Sequence, residues 1–220
     1  MPRTPWIVGV SGASGTPYAA AVLRALIAAG ESVDLVVSRA SRLTLLDETG
    51  ISFRDAHWRS DLRAWLSRGA DGKPDTFSVD IDPVRHWSAG DLAAGPSSGS
   101  YPTKGMLIVP ASTASVAGVA LGLSKDLLQR AASVTLKEGR KLIVAVRETP
   151  LNGQTLRHLV TLDDAGATVV PASPAFYAGA THIQDLVDFV AGRVLDAAGV
   201  PHGLYRRWQG ELGGGAQRAD

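Results

Sequence analysis

Residues 6 to 15 confine this chain to a small set of folds. An apolar run, Trp6 to Val10, leads into Gly9-Val10-Ser11-Gly12-Ala13-Ser14-Gly15, and Thr16, Pro17 and an Ala- and Leu-rich stretch follow. That order predicts strand, glycine turn, helix. Thr16 is the expected N-cap, and Pro17 suits the first helical turn, where its missing N–H costs nothing. Glycines let backbone approach a ligand closely and adopt positive φ. Free N–H groups and the helix dipole favour an anion at such a start, most often a phosphate. Ser11 and Ser14 add hydroxyls. A tight turn with glycines kept for packing is the plainer reading of the same residues.

The chain has 220 residues, 45% of them hydrophobic, which is enough for one α/β domain with its own core. Cys is absent, which excludes disulfide and thiolate chemistry and fits a cytoplasmic protein. A net charge of +1 argues against nucleic acid and against a membrane surface as partners. No signal-peptide pattern and no apolar run of membrane-spanning length is read. The five His are scattered with no HExxH spacing, so no metal site is expected.

Buried parallel strands are expected at Ser32 to Val37, Met106 to Val109, Lys141 to Val146 and Thr168 to Val170. Helices are expected at 17–29, 41–48 (with Leu43, Leu45 and Leu46 packed on the sheet), 61–67, 115–121, 125–132 and 153–165. A last helix starts at Thr181 with Gln184 in a capping box and ends near Gly199. Residues 51–104 read as an excursion without strands. The fold class is therefore a doubly wound, mostly parallel α/β sheet. It forms a single domain over 1–208, with a disordered tail at 209–220. The glycine spacing is GxxGxxG, and Ser38 stands where a dinucleotide site would carry an acid. NAD is therefore disfavoured and FMN stays open; Arg39 leaves NADP possible.

Several further segments line up with the glycine loop: Val37-Ser38-Arg39-Ala40, Ser98-Gly99-Ser100, Pro110-Ala111-Ser112-Thr113, Arg130-Ala131-Ala132 and Leu136-Lys137-Glu138. Val146-Arg147-Glu148-Thr149-Pro150-Leu151, Pro174-Ala175-Phe176-Tyr177 and Asp185-Leu186-Val187-Asp188-Phe189-Val190 complete the set. Together, over about residues 5 to 208, they resemble the UbiX family of flavin prenyltransferases. The resemblance implies a Rossmann-like, flavodoxin-like fold and a homo-oligomer, a dodecamer, that joins a dimethylallyl group from dimethylallyl monophosphate to N5 and C6 of reduced FMN. The prenylated FMN would then serve a UbiD-type decarboxylase. Departures are Ala111 where many members have Cys, Gly139 where Arg is common, and a longer stretch at 51–90.

The resemblance also implies roles for particular residues. Gly12, Ala13 and Ser14 would lie on FMN, with Ser38 at the phosphate or ribitol and Ser112, Thr113, Ala114, Ser115 and Arg147 as further contacts. Tyr177 and Arg193 would hold the allylic phosphate, with Lys137 reaching it near a subunit boundary and Arg130 as a further basic contact. Trp87 and Trp208 would supply π faces. Ser14, Glu48 and Glu148 would be the catalytic set, Ser14 pairing with Glu48 in a proton relay. Arginine suits a departing phosphate because its fork donates two bonds, and an allylic cation needs a dry, π-rich pocket. Plainer roles exist for each: Glu48 as a surface acid at a helix end, Arg193 paired with Asp188, the tryptophans as packing. Two other functions fit the same pattern, an FMN-dependent decarboxylase of the peptidyl-cysteine type and a flavin carrier without turnover.

Overall fold

The structure, a computed structural model, describes residues 3–210. Residues 211–220 of the expected tail lie outside it. Among the described residues six strands form one sheet: β1 (Trp6–Val10), β2 (Val33–Val37), β3 (Val84–Ser88), β4 (Gly105–Ala111), β5 (Lys141–Val146) and β6 (Thr168–Pro171). Their order is β3-β2-β1-β4-β5-β6, and every neighbouring pair is parallel. Without the short edge strand β3, the remaining five follow the flavodoxin-like order. Among the described residues seven α-helices cover the sheet: α1 (Thr16–Ala28), α2 (Arg39–Thr49), α3 (Trp58–Leu66), α4 (Thr113–Ala120), α5 (Leu127–Lys137), α6 (Gly153–Asp164) and α7 (Ile183–Ala198).

Strand alternation sorts the core into two layers. Val8, Val10, Leu35, Val37, Leu107 and Val109 face α1, α3 and α7, where they meet Leu23, Leu26, Trp65, Val194 and Leu195. Ile7, Val36, Met106, Ile108 and Val144 face the opposite way, onto Val116 of α4, Leu127 and Leu128 of α5 and Leu162 of α6. Both sheet faces are thus covered, which is why the central strands are apolar at nearly every position.

The edges of elements depart from the sequence expectation for identifiable reasons. Ser38, not a later residue, caps α2: its hydroxyl accepts from the Ser41 N–H at 3.1 Å, so the helix begins at Arg39. Of the leucines expected on the sheet, only Leu45 is buried; Leu43 and Leu46 point to solvent. Residues 84–88 are a strand, where the sequence reading had an excursion. At the sheet edge Val84 is the one apolar residue of β3 that is fully buried, and the polar Arg85 and His86 disguised the strand. The capping box of α7 is His182 with Asp185, whose carboxylate accepts from the His182 N–H at 2.9 Å and the Thr181 N–H at 2.8 Å. Gln184 instead donates to Asp188 and accepts from the Ala70 N–H.

Candidate active site

The strand order reverses between β1 and β4, strands β2 and β3 being added on one side and β5 and β6 on the other, which opens a crevice at their C-terminal ends. Buried Ser11 ties the two strand ends together. Its hydroxyl donates to the Pro110 carbonyl at 2.8 Å and accepts from the Ser112 N–H at 2.7 Å. A Cβ on Gly12 would lie 2.5 Å from the Ala40 Cβ, so the glycine lets the β1–α1 turn touch the start of α2. Gly15 takes φ 116° and is the true N-cap of α1; Thr16 is already helical.

The phosphate expected at the start of α1 has no room in the hydrogen bonding. Glu48 fills that place. Its carboxylate accepts from the Gly15 N–H at 2.9 Å, the Thr16 N–H at 2.8 Å and the Thr16 hydroxyl at 2.6 Å. A fixed anion thus already sits on the α1 dipole. Ser14 is exposed and takes no part in this set, so the Ser14–Glu48 pair is not formed. Two other helix starts flank the crevice. Ser38 and Ser112 cap the third helical residues of α2 and α4, Ser41 and Ser115. Helical geometry leaves the N–H groups of Arg39 and Ala40, and of Thr113 and Ala114, without an intrahelical acceptor. These two starts are the anion-favouring ends at the switch point.

Beside them a cleft of about 440 Å³ is lined by Ser14, Gly15, Tyr18, Glu48, Arg147, Leu186 and Val187, with Ala70 and Asp71 from the 51–104 segment. Arg147 follows β5, and its buried Nε has no hydrogen-bond partner. A guanidinium with an unused donor, at the ends of β4 and β5, is the chemistry that an FMN or phosphate oxygen would satisfy. Tyr18 was not singled out from sequence. Burial raises its phenol pKa, the Arg147 charge pulls it back and Glu48 adds to the rise, so these three groups act on one another. Its spacing at the third residue of α1 was the available signal.

Tyr177, Trp208 and Arg193 gather beyond β6. The Tyr177 ring meets Phe189 and Trp208 edge-on, each at 5.6 Å between centroids. Arg193 borders a groove of about 500 Å³ with Phe189 and Asp196. Arg193 has a partner other than the Asp188 that the sequence offered: its side chain is 54% exposed and bonded to Asp196 at 3.0 Å. Asp188, five residues back, lies on a different face and accepts from Gln184.

The remaining candidates are elsewhere. Glu148 is exposed at the end of β5 and accepts from the Thr149 N–H at 3.0 Å. Arg130 donates from Nε to the Ser97 carbonyl at 3.0 Å, holding the turn before β4. Lys137 pairs with Glu138 against Gly99. It ends α5, just before β5 begins, so it lies at the sheet edge opposite the crevice. Trp87 packs edge-on to Tyr101 at 6.4 Å with Arg85 over its ring. One chain therefore brings together Ser14, Glu48 and Arg147, and separately Tyr177, Arg193 and Trp208, but keeps Lys137 apart from both.

Comparison with known proteins agrees with this geometry. The family described as Flavoprotein matches residues 1–195. The flavin prenyltransferase UbiX of Streptomyces coelicolor is 91% identical over 210 residues, covering 96% of this chain and 97% of its own. The chain belongs to the UbiX family of flavin prenyltransferases. Among solved family structures, AnUbiX (PadA1) in complex with FMN and dimethylallyl pyrophosphate superposes with TM-score 0.79 at 33% identity, covering 95% of this chain and 99% of that one. A dodecameric FMN-dependent UbiX-like decarboxylase from Escherichia coli O157:H7 gives TM-score 0.79 at 36% identity, covering 94% and 100%. Like them, the chain is a flavoprotein with a flavodoxin-like Rossmann fold, and its enzyme class is prenyl transfer to flavin. Among the described residues no helix is long and apolar enough to cross a membrane, and no cluster of His, Asp and Glu has metal-binding geometry.

Proposed function

We propose that the chain transfers a dimethylallyl group from dimethylallyl monophosphate to N5 and C6 of reduced FMN. The observation that carries this is the switch-point crevice, where the starts of α2 and α4 and the unused Nε of Arg147 converge beside an apolar wall of Leu186 and Val187. Reduced flavin, when bound, supplies the nucleophilic atoms. The protein supplies charge, dryness and proton placement. Gly12, Ala13, Ser14 and Ser38 would lie along FMN, with Ser112 to Ser115 and Arg147 on its other side. Arg193 and Tyr177 would hold the allylic phosphate, so that charge developing on the leaving oxygens meets a guanidinium and a phenol hydroxyl. Apolar and aromatic side chains keep water from the carbocation. Glu148, exposed just past the end of β5, would be the carboxylate that takes a proton, while Glu48 holds the α1 turn in shape.

The relatives' names support prenyl transfer over decarboxylation of a peptidyl cysteine and over a carrier role. The product would feed a UbiD-type decarboxylase, and the enzyme would work in the cytoplasm as a homo-oligomer resembling the dodecameric relative. The test is direct. Purified protein, reduced FMN and dimethylallyl monophosphate are incubated and the flavin is weighed by mass spectrometry. A gain of one dimethylallyl group less the displaced hydrogen is expected; unaltered FMN would remove the reading.

A further inference from the structure

Asp196 on α7 accepts four side-chain hydrogen bonds, two on each oxygen. Arg193 at 3.0 Å and the Tyr205 hydroxyl at 2.5 Å share Oδ2; Arg207 at 2.7 Å and His202 at 3.0 Å share Oδ1. His202 Nδ1 accepts from the Leu204 N–H, which leaves the ring proton on Nε2, facing Asp196. Burial pushes the carboxyl pKa up, but the bonds from Arg207, Tyr205 and His202 outweigh it and hold the group well below the usual carboxylate range.

Two further observations point to the same segment. A Cβ on Gly192 would lie 2.5 Å from the Tyr205 ring and 2.8 Å from His202, so α7 is shaved where residues 202–205 cross it. The rings of Tyr205, Phe189, Tyr177 and Trp208 also form a continuous chain, with successive centroids 4.8, 5.6 and 5.6 Å apart.

We propose that Asp196 is a positioning residue: it pins residues 202–208 across α7 so that Trp208 closes on Tyr177 beside Arg193, and it aims the Arg193 guanidinium. The inference rests on the reading that Tyr177 and Arg193 hold the allylic phosphate. Asp196 does not touch substrate; it acts through the residues that do.

The test uses full-length protein saturated with reduced FMN. Asp196→Ala removes the hub, and Gly192→Ala displaces the segment without altering any charge, which keeps the question open if the first variant folds poorly. Both should raise KM for dimethylallyl monophosphate about tenfold, the scale of one lost charge-assisted contact, while FMN affinity stays unchanged. Asp196→Asn, which keeps an acceptor oxygen, should recover part of the loss. Trp208 emission, taken as the difference from Trp208→Phe, should shift to the red in both variants as the ring leaves Tyr177. Unchanged KM in Gly192→Ala and Asp196→Ala, with Arg193→Ala raising it, would overturn the positioning role. Unchanged KM in Arg193→Ala and Tyr177→Phe would overturn the phosphate assignment, and the inference with it, whatever the emission does.

Discussion

At the scale of single residues, the deciding contacts come from far along the chain. Glu48 reaches the α1 start from the end of α2, a pairing no local pattern announces. Thr16 therefore looked like the cap, since Thr before Pro is what a capped helix start shows. Glu48→Gln retains one acceptor oxygen but removes the charge from the helix dipole. A loss of about 1 kcal/mol of stability is expected, read by denaturant unfolding. Flavin prenylation per folded subunit should fall by less than tenfold. A far steeper fall at unchanged stability would return Glu48 to proton transfer. The partner of Arg193 was misread as Asp188, although i,i−5 is not a helical neighbour spacing and the i,i+3 spacing to Asp196 is. His86 gives a pH prediction. Burial pushes its ring pKa down to about 4, against the pull of Asp55, whose Oδ1 lies 2.8 Å from Nε2; Arg42, on the same carboxylate, adds to the depression. The unfolded chain binds that proton from its ordinary 6.5 downward, so stability is fully present above that value and declines as pH falls toward 4. His86→Gln should flatten the melting temperature across this window; an unaltered slope would place the dependence elsewhere.

At the scale of elements, the sequence was clearest where burial is two-sided. Lys141 to Val146 was bounded correctly because a central parallel strand is apolar on both faces. Val84 to Ser88 was missed because each face of this edge strand carries a single apolar residue, Val84 on one and the half-buried Trp87 on the other, among polar neighbours. Leu43 and Leu46 misled in the opposite sense, since an apolar residue on a helix need not face its own core. The contact between the β1–α1 turn and α2 supports a prediction of its own. Gly12→Ala would press a methyl against Ala40, including its backbone carbon at 3.2 Å. Neither partner is a flexible side-chain tip, so the α2 start must move, and Ser38 and the N–H groups of Arg39 and Ala40 move with it. FMN affinity should weaken at least tenfold with a destabilisation of about 1–3 kcal/mol. Calorimetric FMN binding equal to the parent protein would show that the α2 start does not contact the cofactor.

At the scale of the whole molecule, the parallel layering was readable from alternating apolar runs and glycine punctuation, whereas assembly was implied by the family resemblance and by no specific residue pattern. The helices at 115–132 are apolar enough in sequence to suggest an interface, but they mostly serve this chain's own core: Val116, Val119, Leu127 and Leu128 are buried within it. What remains for a neighbour is an apolar set at and after the end of α4 and along α6, with Leu121, Leu123, Leu156 and Val160 all exposed. Lys137 supplies the sharper argument. It ends α5 at the sheet edge where β5 begins, while Ser14 and Arg147 sit where β1 and β5 end. A lysine cannot reach across the sheet, so any contact between Lys137 and the allylic phosphate must be made in another subunit's site. Lys137→Ala and Tyr177→Phe should each depress prenyl transfer when assembled alone. Co-expressed and co-purified as mixed oligomers, they should regain about a quarter of parental activity, because random assembly gives that share of sites both native residues. If mixed oligomers are no more active than the average of the two parents, Lys137 serves its own chain, as the ion partner of Glu138 against Gly99, and the phosphate must be held by Arg193 and Arg147 without it.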